Sequence, residues 1–430
     1  MKGELITIRT SCRVCGFKPL VPLLSLGKLH VSDFVSGQNQ REKKEKYPLE
    51  LVLCNKKSGG CGLVQLKHTV PPQLLYRNYW YRSGMNKTMS EELRGIAEKA
   101  EMLVHLSTKD YVIDIGANDG TLLRGYIKKP YLVGFEPARN LMKYARKGTA
   151  KIINDFFSFA AWEKAFGKAK AKVITAIAMF YDLEDPNSFV TDVAKCLHGD
   201  GILIIQMSYL PSMLTQNAFD NVVHEHLQYY SLLSLEHLLT RHNLEVFDVE
   251  LNDVNGGSFR IYIRHKNGGK SIQVPRGAAK RVRDLRKYEE SLRLDEQKVY
   301  DDFVKRVYKL RSRLTAFIGR EVERGKKVYA YGASTKGNTL LQFYNLNHKL
   351  IKAAAERNPD KWGTKTVGTN IPIISEEQAR REKPDYFLVL PWHFLDEFVE
   401  REHGFLKQGG KFIVPLPKFR IIGKGLELLQ

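Results

Sequence analysis

The densest group of potentially reactive side chains in this 430-residue chain is Asn221-Val-Val-His224-Glu225-His226-Leu-Gln-Tyr229-Tyr230-Ser231. Two imidazoles, a carboxylate and two phenols fall within one short segment. An imidazole is poised near neutral pH, so a His beside a Glu suits removal of a proton from a carbon next to a carbonyl. His-x-His could also chelate a metal, but no third ligand is evident, and a structural turn is the remaining alternative. General base is the favoured role.

A second group is the loop Asp114-Ile-Gly116-Ala-Asn118-Asp119-Gly120, which follows an apolar run and is expected to open a helix at Thr121. A dinucleotide-binding loop spaces its glycines as Gly-x-Gly-x-x-Gly, so that pyrophosphate reaches the backbone at a helix start. Here Asn118 and Asp119 stand between the glycines and would repel a pyrophosphate. They suit a cation-bearing ligand without phosphate, such as S-adenosylmethionine. Glu136 ends the next strand, 22 residues after Asp114, where a carboxylate binds ribose hydroxyls. Asp155 is a weaker candidate for the adenine rim. The combination resembles a class I S-adenosylmethionine methyltransferase, with NAD binding as the alternative.

Four of the five cysteines lie within the first 61 residues. Cys12-Arg-Val-Cys15-Gly has zinc-knuckle spacing, and Cys54 and Cys61 flank a Gly-rich finger that can close over the same ion. Four protein ligands make a closed, structural Zn2+ site. Disulfides are disfavoured by the expected cytoplasmic setting. Cys196, alone in a helical pattern, is expected in the core.

These residues need elements to position them. The chain reads as α/β: a turn-rich zinc module over 1–74, a methyltransferase domain over 75–268, and a long helix followed by a Rossmann-like domain over 269–430. Apolar β-branched runs at Tyr111–Ile115, Tyr131–Phe135, Val173–Ile177 and 201–206 alternate with amphipathic stretches, which predicts a parallel sheet covered by helices. Val299, Phe303, Val307, Leu310, Leu314 and Phe317 step at helical spacing along one face. Beyond Gly325, strand and helix alternate again, with a Gly-bearing loop at 331–337.

The composition is globular, at 43% apolar and 27% charged residues. No apolar run reaches the length of a membrane helix, and 1–9 shows no secretory leader pattern, so the expectation is a cytoplasmic protein. The net charge is +21, but the basic residues are dispersed, with short concentrations at 41–46 and along 276–327. A solvated cationic surface is favoured over a nucleic-acid groove.

The order of motifs resembles the sugar C-methyltransferases that act on nucleotide-linked 4-keto-deoxysugars, over nearly the whole chain. The shared motifs begin with Cys12-x-x-Cys15-Gly, Cys61-Gly-Leu-Val-Gln-Leu66, Tyr79-Trp-Tyr81-Arg-Ser-Gly84 and the Asp114 loop. They continue with His224-Glu-His226, Asn255-Gly-Gly-Ser258, Tyr331-Gly-Ala-Ser-Thr-Lys-Gly-Asn338 and Leu390-Pro-Trp392. The resemblance implies an N-terminal zinc-binding domain, a central methyltransferase domain and a C-terminal Rossmann-like domain. It makes His226 the base that removes the C-3 proton, with Glu225 beside it and Tyr81 bordering the sugar. It also places Asp114, Gly116, Asn118, Gly120, Glu136 and Asp155 around the cofactor. Tyr79, His224, Tyr229, Ser334, Lys336 and Asn338 fall around the substrate, the last three near its diphosphate.

Four positions depart from the family pattern. Val223 stands where Tyr is frequent, Gln206 where Glu is common, and Ala178 and Asp182 replace the Asn and His of a pocket loop. These changes imply a remodelled pocket and another sugar, with Tyr181 or Asp182 taking over contacts. O- or N-methylation of a small molecule, modification of nucleic acid, and a non-catalytic scaffold are the competing readings. The first needs no enolate-forming base, and the second lacks an Asn/Asp-Pro-Pro-aromatic motif.

Overall fold

A computed structural model describes residues 6–35, 45–76, 79–424 and 426–429. The expected basic stretch at 41–46 and the segment 1–9 therefore lie partly outside the described residues.

The N-terminal module is an antiparallel sheet. Strand β1 (Val21–Leu29) pairs with β2 (Tyr47–Leu53), which pairs with β3 (Val64–Leu66). Its apolar face buries Leu24, Leu51 and Val64.

Helix α1 (Lys87–Leu103) begins where the Asn86 side chain accepts from Met89 N–H, and buries Met89, Leu93, Ile96, Ala100 and Leu103 along one stripe. It precedes the central sheet: β4 (Tyr111–Ile115), β5 (Tyr131–Phe135), β6 (Lys151–Ile153), β7 (Ala171–Ile177) and β8 (Leu197–Ser208). Helix α2 (Pro186–Cys196) joins β7 to β8, capped by Asp185 with Pro186 in its first turn; it buries Cys196, as expected. The short β9 (Gln228–Tyr229) leaves this domain to pair with β3 of the zinc module. Strands β10 (Leu244–Asn252) and β11 (Ser258–His265) complete a seven-stranded sheet of order β10-β11-β8-β7-β4-β5-β6. Side-chain alternation splits its core in two. Ile113, Ile115, Leu203 and Ile205 face one side, while Val112, Ile202 and Ile204 face α1 on the other.

Two expectations need correction. The sheet is mixed, because β11 runs antiparallel to both β8 and β10. The Asp114–Gly120 loop opens no helix; only a 3-10 turn at Leu123–Gly125 follows. Asp119 explains the difference. Its Oδ1 accepts from the Thr121 hydroxyl at 2.6 Å and from Thr121 N–H at 3.3 Å, which holds the chain in a local turn. Helix α1 packs over this region, and a Cβ at Gly125 would come within 3.1 Å of Ala97.

Helix α3 (Ala278–Ser291) leads to the long α4 (Gln297–Glu323). Tyr300 and Ile318 are buried on α4 alongside the expected Phe303, Val307, Leu310 and Leu314, whereas Val299 and Phe317 are only half-buried. The third unit is a second seven-stranded sheet. Its strands are β12 (Val328–Tyr331), β13 (Ala354–Glu356), β14 (Ile373–Ser375), β15 (Tyr386–Val389), β16 (Lys411–Val414), β17 (Arg420–Gly423) and β18 (Leu426–Leu429). The order is β14-β13-β12-β15-β16-β17-β18, and helix α5 (Thr335–Phe343) follows β12. The zinc sheet and this unit share one apolar core through α4, so the first and third units brace each other beside the central sheet. Among the described residues no helix is long and apolar enough to cross a membrane.

Candidate functional site

Cys12, Cys15, Cys54 and Cys61 converge with their Sγ atoms all within 4.8 Å of one another. Tetrahedral thiolate coordination, with bonds of about 2.3 Å, requires sulfur separations of about 3.8 Å. The Cys12–Cys61 and Cys15–Cys54 pairs stand at 3.5 and 3.4 Å. Val14 N–H and Cys61 N–H donate to Cys12 Sγ and Cys54 Sγ, which favours thiolates. The residues fit Zn2+. Four protein thiolates would fill its tetrahedral coordination and leave no open position, which is the pattern of a structural site.

The carboxyl ends of β4, β5, β7 and β8 open, with the loops after β12 and β13, onto one cavity of about 540 Å³. On the central-domain side, Asp114, Gly116, Asn118, Glu136 and Asp155 line it, and Gly120 does not. Gly120 is a turn residue at φ +78°, packed against the Ala145 carbonyl. Glu136 is held in place by two backbone donors. Its Oε2 takes Asn118 N–H at 2.8 Å and its Oε1 takes Ala138 N–H at 2.7 Å. Each oxygen thus keeps one lone pair for a vicinal diol. Burial pushes Glu136 up to about 7. Asp114 lies beneath the loop, takes the Thr175 hydroxyl at 2.6 Å, and is likewise raised to about 7 by burial. Asp155 sits exposed at the rim. With a non-helical turn after Gly116 and a diol acceptor at Glu136, this end fits S-adenosylmethionine.

Asp119 does not face the cavity's ligand space as the sequence suggested. It is buried and accepts Gly84 N–H at 2.8 Å, while Asn118 accepts Ser83 N–H and donates to the Tyr81 carbonyl. The two residues thus pin the Tyr79–Gly84 segment over the loop. Tyr79 and Tyr81 both line the cavity, and Tyr81 is 43% exposed.

The histidine segment divides. His226 and Glu225 line the cavity; His224 and Tyr229 do not. His224 turns to the zinc sheet, where its Nε2 lies 3.1 Å from the Tyr47 carbonyl. Tyr229 belongs to β9 and donates to the Asn221 carbonyl at 3.3 Å. Both are therefore packing residues, tied to the zinc module by the Tyr47 contact of His224 and by the strand pairing of Tyr229. His226 Nδ1 donates to that same Asn221 carbonyl at 2.9 Å, and the ring lies 4.2 Å from the Tyr181 ring. Burial, then the charge of Lys336, lowers His226 to about 3, which keeps the imidazole neutral. Burial raises Glu225 to about 7, and its Oε2 has no hydrogen-bond partner among the described residues. Asp182, also with a partnerless oxygen, is pushed well above the usual carboxylate range by burial, which favours its protonated form. Gln206 accepts from Arg260 at 2.8 Å and from Asn252 at 3.1 Å, and Val223 and Ala178 also line this part.

On the third unit, Ser334 and Lys336 line the cavity and Asn338 does not. Ser334 caps α5 by accepting Gly337 N–H. Lys336 Nζ donates to the Asn255 carbonyl at 3.2 Å, reaching across to the central domain. Asn338 is 1% exposed and donates inward to the Asp33 carbonyl. The Asn255-Gly-Gly turn meets Trp392 so closely that a Cβ on Gly256 would lie 2.9 Å from the indole. Sequence reasoning passed over Tyr76, His393, Glu356 and Lys361, all of which line the cavity. Glu356 carried a legible signal, a carboxylate ending the strand after a glycine loop; the other three carried none.

The central sheet order, the Gly116 loop and Glu136 define a class I S-adenosylmethionine-dependent methyltransferase carrying a zinc-binding module. Residues 12–76 match a zinc binding domain, 81–249 a methyltransferase domain, and 253–417 a C-methyltransferase C-terminal domain. The chain is 31% identical over 414 residues to the C-methyltransferase NovU of Streptomyces niveus, covering 96% of each. It belongs to the C-methyltransferase family. Among solved structures, the mitomycin 7-O-methyltransferase MmcR covers 42% of this chain and 55% of its own at TM-score 0.33 and 18% identity. The plantazolicin methyltransferase BamL, solved with S-adenosylhomocysteine, covers 42% of this chain and 87% of its own at TM-score 0.34 and 13% identity.

Proposed function

We propose that this C-methyltransferase acts on a nucleotide-linked 4-keto-deoxysugar and methylates the carbon beside the ketone, C-3. The observation that supports it is the shared cavity: a cofactor end at Glu136, a cationic helix start at Lys336, and His226 in the wall, within reach of the charge of Lys336. A carbonyl can only accept, so Asn221 fixes the ring proton on Nδ1 of His226 and leaves the Nε2 lone pair to take a proton. The C-3 proton moves to Nε2, and the C–H electron pair passes into the enolate, with charge on the ketone oxygen. S-adenosylmethionine, when bound, supplies the electrophilic methyl group that the enolate carbon takes up.

The other residues prepare that step. Ser334, Lys336 and the first N–H groups of α5 offer an anion site for the diphosphate. Its charge offsets that of Lys336, which otherwise disfavours the imidazolium, so a bound substrate makes His226 a stronger base. Glu225, the preceding residue, lines the same cavity. Tyr79 and Tyr81 border the sugar, and Asp182, whose protonated form burial favours, can hydrogen-bond a sugar oxygen in place of the family's imidazole. O- or N-methylation would leave the base and the second α/β unit without a role.

The test is mass spectrometry of the protein with S-adenosylmethionine and a panel of nucleotide-linked 4-keto-6-deoxysugars in deuterated water. One added methyl, with deuterium exchange at the carbon beside the ketone, is the expected result. Cofactor binding with neither exchange nor methylation on any panel member would overturn the assignment.

A further inference from the structure

Glu356 repeats, in the third unit, the station that Glu136 holds in the central one. Each lies at the end of the strand that neighbours, in parallel, the strand leading into a glycine loop. Glu136 takes one N–H from the loop, Asn118, and one from two residues downstream, Ala138, at 2.8 and 2.7 Å. Glu356 takes one N–H from its loop, Ala333, and one from two residues downstream, Asn358, both at 2.8 Å. Both carboxylates line the same cavity. In each, one lone pair per oxygen remains, which matches the two adjacent hydroxyls of a ribose.

The surrounding loop also has the build of a nucleotide site. Gly332 turns at φ +81°, and a Cβ there would lie 2.7 Å from Pro391. A Cβ on Gly337 would lie 2.7 Å from Leu390, so α5 can approach its sheet only with glycine at that place. Unlike the Gly116 loop, this one runs straight into a nine-residue helix. Lys361 Nζ, 3.5 Å from Glu356, donates to the Ala333 carbonyl at 2.7 Å and holds the loop against the carboxylate. Phe394 and Phe398 line the same end and offer apolar faces to a base.

We infer that Glu356 binds the 2′,3′-diol of the acceptor's carrier nucleoside, so that the carrier is a ribonucleoside diphosphate and not a deoxyribonucleoside diphosphate. The inference rests on the nucleotide-linked acceptor proposed above and narrows it. The cavity then holds two ribosides end to end, the methyl donor on Glu136 and the acceptor's carrier on Glu356.

The test is calorimetric titration of the full-length protein, saturated with S-adenosylhomocysteine, using UDP, GDP, CDP and ADP, each against its 2′-deoxy counterpart, and thymidine diphosphate. The best-bound ribonucleotide is expected to bind at least about tenfold more tightly than its 2′-deoxy form, since a hydrogen bond to a carboxylate is lost. In Glu356→Gln and Glu356→Asp that preference should shrink to about twofold or less, with S-adenosylhomocysteine affinity unchanged as evidence of an intact fold. Equal binding of ribo and deoxy forms, or a preference that survives both substitutions, overturns the inference and leaves a nucleotide-linked acceptor standing. Failure of every nucleotide to bind would instead remove the nucleotide-linked acceptor, and this inference with it.

Discussion

The Asn221 carbonyl accepts two hydrogen bonds, from His226 Nδ1 at 2.9 Å and from the Tyr229 hydroxyl at 3.3 Å. Tyr229 is in turn held by the pairing of β9 with Val64 of the zinc module. The tautomer of the cavity histidine is thus set by a carbonyl that the neighbouring module helps to hold in place. His226→Ala should lower turnover by about 10²–10⁴-fold, the usual contribution of a positioned base. The affinity for S-adenosylhomocysteine, bound at the other end of the cavity, should stay within about twofold. Steady-state rates beside a calorimetric titration separate the two; full activity in the variant would remove the base assignment.

Lys336 gives a second check on the same ring. Its charge adds to burial in lowering His226 to about 3. Lys336→Gln removes that charge, so the imidazolium becomes less costly and His226 should titrate at higher pH. Activity requires the neutral ring, which is present above its pKa, so the acid limb of the pH profile should move upward. His393 must be resolved from it, since it lines the same cavity and is depressed by burial and Lys336 together. NMR titration of the two imidazoles in the variant measures both. An unmoved His226 would show that Lys336 does not act on it.

Much of this arrangement was legible because it rests on local rules. Strand ends, the Cys spacing and the Glu136 carboxylate are set by alternation and short-range geometry, and the structure places them where the spacing implied. The misplacements have a common origin. His224, Tyr229 and Asn338 sit within motifs that do reach the cavity, but a contact with the zinc sheet, a strand pairing and a helix face, in that order, turn them inward. Which neighbour in a motif faces the ligand depends on contacts with Tyr47, Val64 and Asp33, far away in sequence. The missing helix after Gly120 has the same kind of cause, since Asp119 serves its own Thr121 and the Gly84 backbone.

Cofactor binding should release protons. Burial raises Glu136 to about 7, with Asp119 nearby adding to the effect. Ribose hydroxyls donate to the ionised carboxylate, so binding favours loss of its proton. At pH 7 about half a proton per site should leave on binding S-adenosylhomocysteine. The affinity should also fall as the pH drops below about 7. Titrations in buffers of different ionisation enthalpy count the protons directly. Asp114 is raised by burial as well, so Glu136→Gln is the control, and its residual binding should lose most of the proton release. Proton uptake, or none, would show that Glu136 does not meet the ribose as an acceptor.

The zinc site makes a prediction about a glycine as well as its ligands. Cys12→Ser should lose the metal and much of the fold's stability, because metal binding contributes folding energy directly. Gly60 holds no ligand, yet a Cβ there would lie 2.5 Å from Cys54 Sγ and 2.8 Å from the Asn55 carbonyl. The backbone on both sides is fixed, since Gly60 N–H and Ser58 N–H both donate to that carbonyl and Cys61 N–H donates to Cys54 Sγ. Gly60→Ala must therefore displace the sulfur or the finger. The cost expected is about 1–3 kcal/mol, as for overpacking elsewhere, together with weaker retention of zinc against a chelator. Gly95 is the control, because a Cβ there meets nothing within 4 Å and the residue lies inside α1. Gly95→Ala should stabilise slightly. Thermal unfolding with metal content by mass spectrometry distinguishes the two, and a Gly60→Ala protein as stable and as zinc-loaded as the parent would show that the finger does not close on Cys54 in this way.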